Sequence, residues 1–441
     1  MAPSAMMRDM ADEPTDPRTT TWRDLRVDGA RLLRHLAEMA EIGGTAAGGC
    51  NRQALTDVDK EGRLLFMSWC EARGYEVTVD RIGNLFARRP GVTPSTTGAS
   101  DAMPILIGSH LDTQPTGGRY DGVYGVLAGL EIVETLDDAG IDLAHPIEVA
   151  VWTNEEGARF DPAMTGSGVW AGVLPLEGAL RTRDADGITV GDELLRLGFS
   201  GVTPAEHRPL HAALEVHIEQ GPILEAAGVP LGIVTGGQGI RWYDIEIRGT
   251  AVHAGPTPMD QRHDPVLGLA DAVHELRALA ERHGPWARVT VAKLSSEPGA
   301  RNTVPAVVRA SLDLRHPETA TLDALEAGAR QTLDAAARRH GLTCSLVEAW
   351  RSPAVAFAPE VIDAFRHGAE LIGGAHQDIV SGAGHDSCYL ARVAPTGMLF
   401  IPCRDGVSHN ESEHAEPEHL VLGANVLLQA VLHLAGPHTP G

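Results

Sequence analysis

Two apolar β-type runs, MPILIGSH ending at His110 and PIEVAVWT ending at Thr153, flank a segment in which Val123, Val126, Leu127, Leu130, Val133 and Leu136 recur at three- and four-residue spacing. That spacing puts one apolar stripe on a helix from about Gly122 to Ala139. Strands with almost no polar alternation are buried on both faces, and two such strands joined through a helix run parallel. Helical stretches DGARLLRHLAEMAEIG and DVDKEGRLLFMSWCEARG and the strand-like EVTVD and NLFARR precede this unit. The expected fold class is therefore α/β, a mainly parallel sheet with helices on both faces.

At about Gly237 the pattern changes. Strand IRWYDIEIRG, helix DPVLGLADAVHELRALAERH, strands WARVTVAKLSS and TVPAVVRASLDLRH, helix LDALEAGARQTLDAAARRHG and strand CSLVEAW follow in the order βαββαβ. This order describes a two-layer unit with helices on one face of an antiparallel sheet. Beyond Arg351 the first style returns: a helix from about Val361 to Ile372, strand QDIVSG, a helix opening near His385, strand MLFIPC, and a last helix led by Pro417. The expected division is a disordered tail over 1–21, a large domain over 22–236 and 353–441, and an inserted domain over 237–352.

The balance of 36 Lys+Arg against 59 Asp+Glu leaves a net charge of -23, which repels nucleic acid and anionic membranes, so neither is an expected partner. No window reaches the roughly 18 consecutive apolar residues of a membrane span. Five scattered cysteines without a C-x-x-C suit reduced thiols, and a cytoplasmic location is expected. The chain lacks H-E-x-x-H, G-x-S-x-G and a Walker A loop.

Open α/β sheets build their sites at the carboxyl ends of strands. His110 and Asp112 follow MPILIGS, Glu155 and Glu156 follow PIEVAVWTN, His217 and Glu219 follow LHAALEV, His409 follows MLFIPCRDGVS, and Asp121 opens a helix in GGRYDGVYG. Imidazoles and carboxylates without thiolates suit zinc, manganese, cobalt or nickel, and a two-ion site needs a bridging carboxylate, for which Asp121 is the candidate. Adjacent glutamates repel each other unless positive charge is near. Two ions resolve this: Glu156 binds metal and Glu155 stays free to take a proton from water.

GSHLDTQPTGGRYDG, TNEEGARF, EVHIEQG, GTAVHAGPTPM, SGAGHDS and DGVSHNESEH resemble the hydantoinase/carbamoylase amidases, relatives of allantoate amidohydrolase and β-ureidopropionase within the dimetal aminoacylase and carboxypeptidase superfamily. The resemblance implies metal-dependent hydrolysis of N-carbamoyl-L-amino acids, with β-ureido acids or allantoate as alternative substrates and peptidase or aminoacylase activity further off. It implies His110 and His217 on one ion, Glu156 and His409 on the other, Asp121 bridging, Glu155 as general base, and Asp112 orienting the imidazole of His110. His414 is a rival to His409 as last ligand. The inserted domain becomes a lid and dimerisation surface of a homodimer. There His253 and Asn302 touch the reacting group, sometimes from the partner subunit, and Arg315 grips the substrate carboxylate. Gln220 is implied to hydrogen-bond the ureido group, and the backbone at Gly382 and Gly384 to close the site.

Overall fold

The structure is a computed structural model and describes residues 22–91 and 102–436; the tail expected over 1–21 lies outside them. In chain order, helices α1 (Gly29–Glu41) and α2 (Asp57–Arg73) precede strands β1 (Glu76–Val79), β2 (Leu85–Arg89) and β3 (Ile105–His110). Helix α3 (Val123–Asp138), β4 (Ile147–Trp152), β5 (Ala212–Ile218) and β6 (Leu231–Gly237) follow. The second unit comprises β7 (Gly239–Arg248), β8 (Val252–His253), α4 (Pro265–Arg282), β9 (Arg288–Glu297), β10 (Thr303–Val304), β11 (Val307–His316), α5 (Thr319–Arg339) and β12 (Thr343–Ser352). The chain closes with β13 (Val355–Ala356), α6 (Pro359–Ile372), β14 (His376–Ser381), α7 (Asp386–Leu390), β15 (Thr396–Ile401) and α8 (Pro417–Ala435).

The large sheet runs β1-β2-β4-β3-β5-β15-β6-β13, with β14 also on β6. Its centre, β4-β3-β5-β15, is parallel; β2 and β6 join it antiparallel, β1 and β13 continue antiparallel, and β14 lies parallel to β6. The parallel centre is what matters for chemistry, because it lines up four carboxyl ends side by side. Helix α3 can lie close to β3 and β5 because residue 125 is glycine: a Cβ there would stand 2.7 Å from the Val216 carbonyl oxygen and 2.8 Å from the Ser109 Cβ. Val126, Leu127 and Leu130 are 0% exposed, each stabilising this docking by roughly 1.5–3 kcal/mol. Helix α8 is long and apolar enough to cross a membrane by length and composition, yet 67% of its apolar window is buried in the protein.

The chain passes from the large sheet to the small one between Gly237 and Gly239 and returns between Ser352 and Val355. The small sheet, β12-β7-β11-β9, is antiparallel throughout. Alternation along β7 and β11 sends Tyr243, Ile245, Ile247, Leu312 and Leu314 against α4 and α5, where they form a second core. The opposite face carries Trp242, Asp313 and Arg315. The two-residue strands β8 and β10 pair with each other outside this sheet.

Candidate metal centre

The carboxyl ends of β3, β4, β5 and β15 deliver the site. In the parallel register Phe400 of β15 faces His217 of β5, and His110 of β3 faces Trp152 of β4. The turn after β4 is fixed from several sides. Arg63, paired with Asp59 on α2 with both side chains fully buried, donates to the Gly83 carbonyl at 2.8 Å and to Thr153 Oγ1 at 3.3 Å. Asn154 takes a left-handed backbone, φ 55°, and its side-chain amide donates to the Phe160 carbonyl at 2.7 Å. Such strain persists only where the surroundings impose it, and here it presents Glu155 and Glu156 to the cleft.

Asp121 stands at the centre. Its Oδ1 lies 3.7 Å from His110 Nε2 and 3.2 Å from His217 Nε2, while its Oδ2 lies 3.3 Å from His409 Nε2. His409 Nε2 is also 3.2 Å from Glu156 Oε2. Two donor sets, His110–Asp121–His217 and Asp121–Glu156–His409, can each hold a metal ion, and they share Asp121. The Nδ1 protons of His110 and His217 go to the carbonyls of Asp112 and Ile218, both at 2.8 Å, which turns each Nε2 toward the Asp121 carboxylate. A lone pair facing a carboxylate needs positive charge between them, either a proton or a metal ion. Among the described residues no lysine or arginine pairs with Asp121, Glu155 or Glu156. Five ligands, three buried, Glu156 partly buried and His409 exposed, with this surplus of negative charge suit divalent cations.

The electrostatics follow from the same geometry. Burial opposes ionisation of Asp121, but hydrogen bonds from His217 and His409 outweigh it and hold the carboxyl well below its usual range. Burial would lower His217, yet Asp121 carries it up to about 9. The Asp121 and Glu156 carboxylates push His409 up to about 10. Burial, then the charges of Asp386 and Glu156, drive Glu155 well above the ordinary carboxylate range. Its Oε2 lies 3.4 Å from His110 Nε2.

Asp112 works differently from the expectation. Its carboxylate is 3.9 Å from His110 Nδ1, and it is the backbone carbonyl of Asp112 that accepts the imidazole proton. The carboxylate instead accepts the backbone N–H groups of Glu155 at 3.3 Å and Glu156 at 3.2 Å, so it holds the glutamate turn. His414 turns away to Glu416 Oε2 at 3.5 Å. Glu219 accepts the N–H groups of Ile223 and Leu224, both at 2.8 Å, and is a capping residue. Gln220, at φ 58°, donates to Asp121 Oδ2 at 2.8 Å and leaves its Oε1 buried without a partner.

Two groups beneath the site had no assigned role in the sequence reading. Glu413 accepts the N–H groups of Tyr120 at 2.9 Å and Asp121 at 3.2 Å, and its other oxygen meets Ser408 Oγ, which also reaches Asp121. His385 lies against His217, ring centroids 4.7 Å apart, with Nε2 buried and unpartnered. Glu215, bonded to Ser109 and Ser387, completes a third cluster of possible ligands with these two histidines. The carboxyl-end rule, applied to β14, points to His385 and Asp386.

On the second unit, Arg315 grips Asp313 through Nε and Nη2 and donates from Nη1 to the Gly382 carbonyl at 2.7 Å, linking the two sheets. Arg315, Gly382, Gln220 and His409 line one cavity of about 650 Å³. Gly384 packs on Met164, where a Cβ would meet Cε at 3.1 Å. His253 and Asn302 are exposed on the β8–β10 ribbon, outside that cavity.

The model of peptidase family M20/M25/M40 matches residues 106–433. An N-carbamoyl-L-amino-acid amidohydrolase of Rhizobium meliloti is 46% identical over 93% of this chain and 97% of its own length. A second, from Geobacillus stearothermophilus, is 37% identical over 93% of this chain and 99% of its own length. The solved amidase of the hydantoinase/carbamoylase family from Burkholderia multivorans is 50% identical, with a TM-score of 0.89 over 94% of this chain and 99% of that one. With the fold, the shared aspartate and the order of the motifs in agreement, the chain belongs to the hydantoinase/carbamoylase amidases of peptidase family M20/M25/M40.

Proposed function

We propose that this protein hydrolyses the ureido C–N bond of N-carbamoyl-L-amino acids, giving the amino acid, ammonia and carbon dioxide, with two divalent ions per subunit. The observation that carries this reading is Asp121 standing between two donor sets while Glu155, buried beside them, is left over. His110, His217 and Asp121 would hold one ion, and Asp121, Glu156 and His409 the other; zinc, manganese, cobalt and nickel all suit these donors. Ions bound there would supply Lewis-acid polarisation of the carbonyl, which is a poor electrophile because both ureido nitrogens donate into it. Glu155 takes the proton of the attacking water and returns it to the departing nitrogen as the C–N bond breaks. The carbamic acid that remains decomposes to carbon dioxide and the second amine. Asp112 keeps Glu155 and Glu156 in place through their backbone N–H groups. Arg315 binds the substrate carboxylate from above, and Gln220 hydrogen-bonds the ureido group.

The same reading makes the protein a cytoplasmic homodimer joined through the inserted domain over 237–352. Supporting it are free cysteines at all five positions and exposed apolar side chains at Met259 and Leu294, 63% and 65% accessible. His253 and Asn302 then serve a partner's cleft and stabilise the oxyanion there. The test is ammonia release from N-carbamoyl-L-amino acids, N-carbamoyl-β-alanine and allantoate after dialysis against chelator and re-addition of each metal. Loss and recovery on the α-ureido acids are expected. Full turnover by metal-free protein overturns the reading. Mixing His253→Ala with Glu155→Gln subunits regains activity if the lid residues act across the dimer, and regains none if they act within one chain.

A further inference from the structure

The roof of the cleft holds a cation that the reaction above does not use. Arg288 on β9 and Arg315 on β11 are direct cross-strand partners, and both line the cavity of about 650 Å³ that reaches His409. Like charges directly opposite on a sheet repel. Only one of the two has a counter-ion. The fork of Arg315 is engaged by Asp313, with Nε at 3.0 Å and Nη2 at 2.8 Å from Oδ2, so that pair is neutral overall. Arg288 donates only to the carbonyls of Pro285 and Ala287, at 2.5 and 3.1 Å, and no carboxylate among the described residues pairs with it. Arg288 is exposed at the cleft and brings positive charge to it in a chain of net charge -23. Phe400 and Ile379, 1% and 2% exposed, also line the cavity. Arg315 keeps one free N–H on each Nη, enough for one carboxylate.

We infer that Arg288 is a specificity residue that receives a second anionic group, so that the cleft selects ureido dicarboxylates over ureido acids with neutral side chains. This rests on the ureido-hydrolase reading. Arg315 takes the carboxylate common to every N-carbamoyl amino acid, and Arg288, one strand further out, takes the carboxylate of the side chain. Because Arg288 is exposed, its attraction is screened by salt and acts on binding rather than on the bond-breaking step.

The experiment compares the metal-loaded enzyme on N-carbamoyl-L-glutamate and N-carbamoyl-L-aspartate with their neutral isosteres, N-carbamoyl-L-glutamine and N-carbamoyl-L-asparagine. The dianions are expected to have the higher kcat/KM by roughly tenfold or more, through KM, with the advantage shrinking as salt rises. Arg288→Gln should erase that advantage and leave the neutral substrates unchanged, and Arg288→Lys should restore part of it. Equal kcat/KM for acid and amide in the unaltered enzyme overturns the inference, as does an Arg288→Gln loss that falls equally on both. Turnover of neutral ureido acids in either case leaves the activity reading standing. Hydrolysis of no ureido acid at all overturns that reading, and this inference with it.

Discussion

On the large sheet His110, Asp121 and His217 are 2%, 4% and 1% exposed, and each imidazole is locked by a hydrogen bond from its Nδ1. On the small unit Arg288, His253 and Asn302 are exposed, and their polar contacts are with chain neighbours: backbone for Arg288 and His253, the Thr303 hydroxyl for Asn302. The floor concentrates charge where water cannot screen it, which fixes geometry and shifts protonation. The roof leaves charge where a ligand can still choose it. Chemistry that must not vary is thus placed on buried strand ends, and selection is placed on an exposed sheet face.

The sharpest way to break that contrast is Glu155→Gln. If the floor is the catalytic half, this change removes the base, keeps the donor sets, and lowers kcat by roughly a thousandfold or more. Retention of both ions, read by metal analysis, is part of the expected outcome. Activity within tenfold of the unaltered enzyme would mean that the spare carboxylate is not the base.

Next in size is Gly122→Ala. Residue 122 has φ +68°, and a Cβ there would fall 2.2 Å from His110 Nε2, so the methyl group occupies the position from which the imidazole acts. Metal affinity, measured by chelator competition, should fall at least about tenfold to a hundredfold, as when a ligand's orientation is disturbed. The small sheet should keep its own stability. Undisturbed metal binding would show that the floor is less rigid than its burial suggests. On the roof, Arg315→Gln should raise KM by roughly ten- to hundredfold with kcat less affected, since it removes a charge-assisted pair from binding alone. An equal fall in kcat would move Arg315 from selection into chemistry.

Much of the floor was legible in the sequence because the carboxyl-end rule needs only strand order and polarity: His110, Glu155, His217 and His409 each follow an apolar run. The same rule could not reveal that β6 runs antiparallel to β15, since that depends on pairing with a strand more than 150 residues away. Nor could it reveal Glu413 beneath Asp121, a contact spanning 292 positions. Asp112 was found, but the use of its carboxylate was not, because residue spacing does not say whether a side chain or its own carbonyl receives a proton. On the roof the resemblance pointed to Arg315, His253 and Asn302, and nothing in the sequence singled out Arg288. Arg288 and Arg315 become neighbours through the β9–β11 register, and only there does one appear neutralised and the other not.

The smallest effect expected is also the one that separates floor from roof most cleanly. Metal must displace protons that the floor histidines hold. In the metal-free protein the carboxylates of Asp121 and Glu156 raise His409 to about 10, and His217 reaches about 9 because Asp121 outweighs its burial. His409 therefore holds a proton at pH 7, whereas His217 Nε2 also accepts the Gly122 N–H at 3.0 Å; loading should release at least the His409 proton, and metal affinity should rise with pH and level off above about 10. The stability of metal-free protein should move the opposite way. Raised histidines give their full contribution below about pH 6.5, the unfolded value, and lose it as pH climbs through 9 and 10. Asp121, held low, gives its share above the unfolded carboxyl value and loses it only in acid. Calorimetric titration in buffers of different ionisation enthalpy reads the proton count. His409→Gln should reduce that count, whereas Arg288→Gln should not change it, because Arg288 belongs to neither donor set. Loading without proton release at pH 7 would mean that the histidines are neutral beforehand, and that something other than a proton balances Asp121 in the metal-free floor.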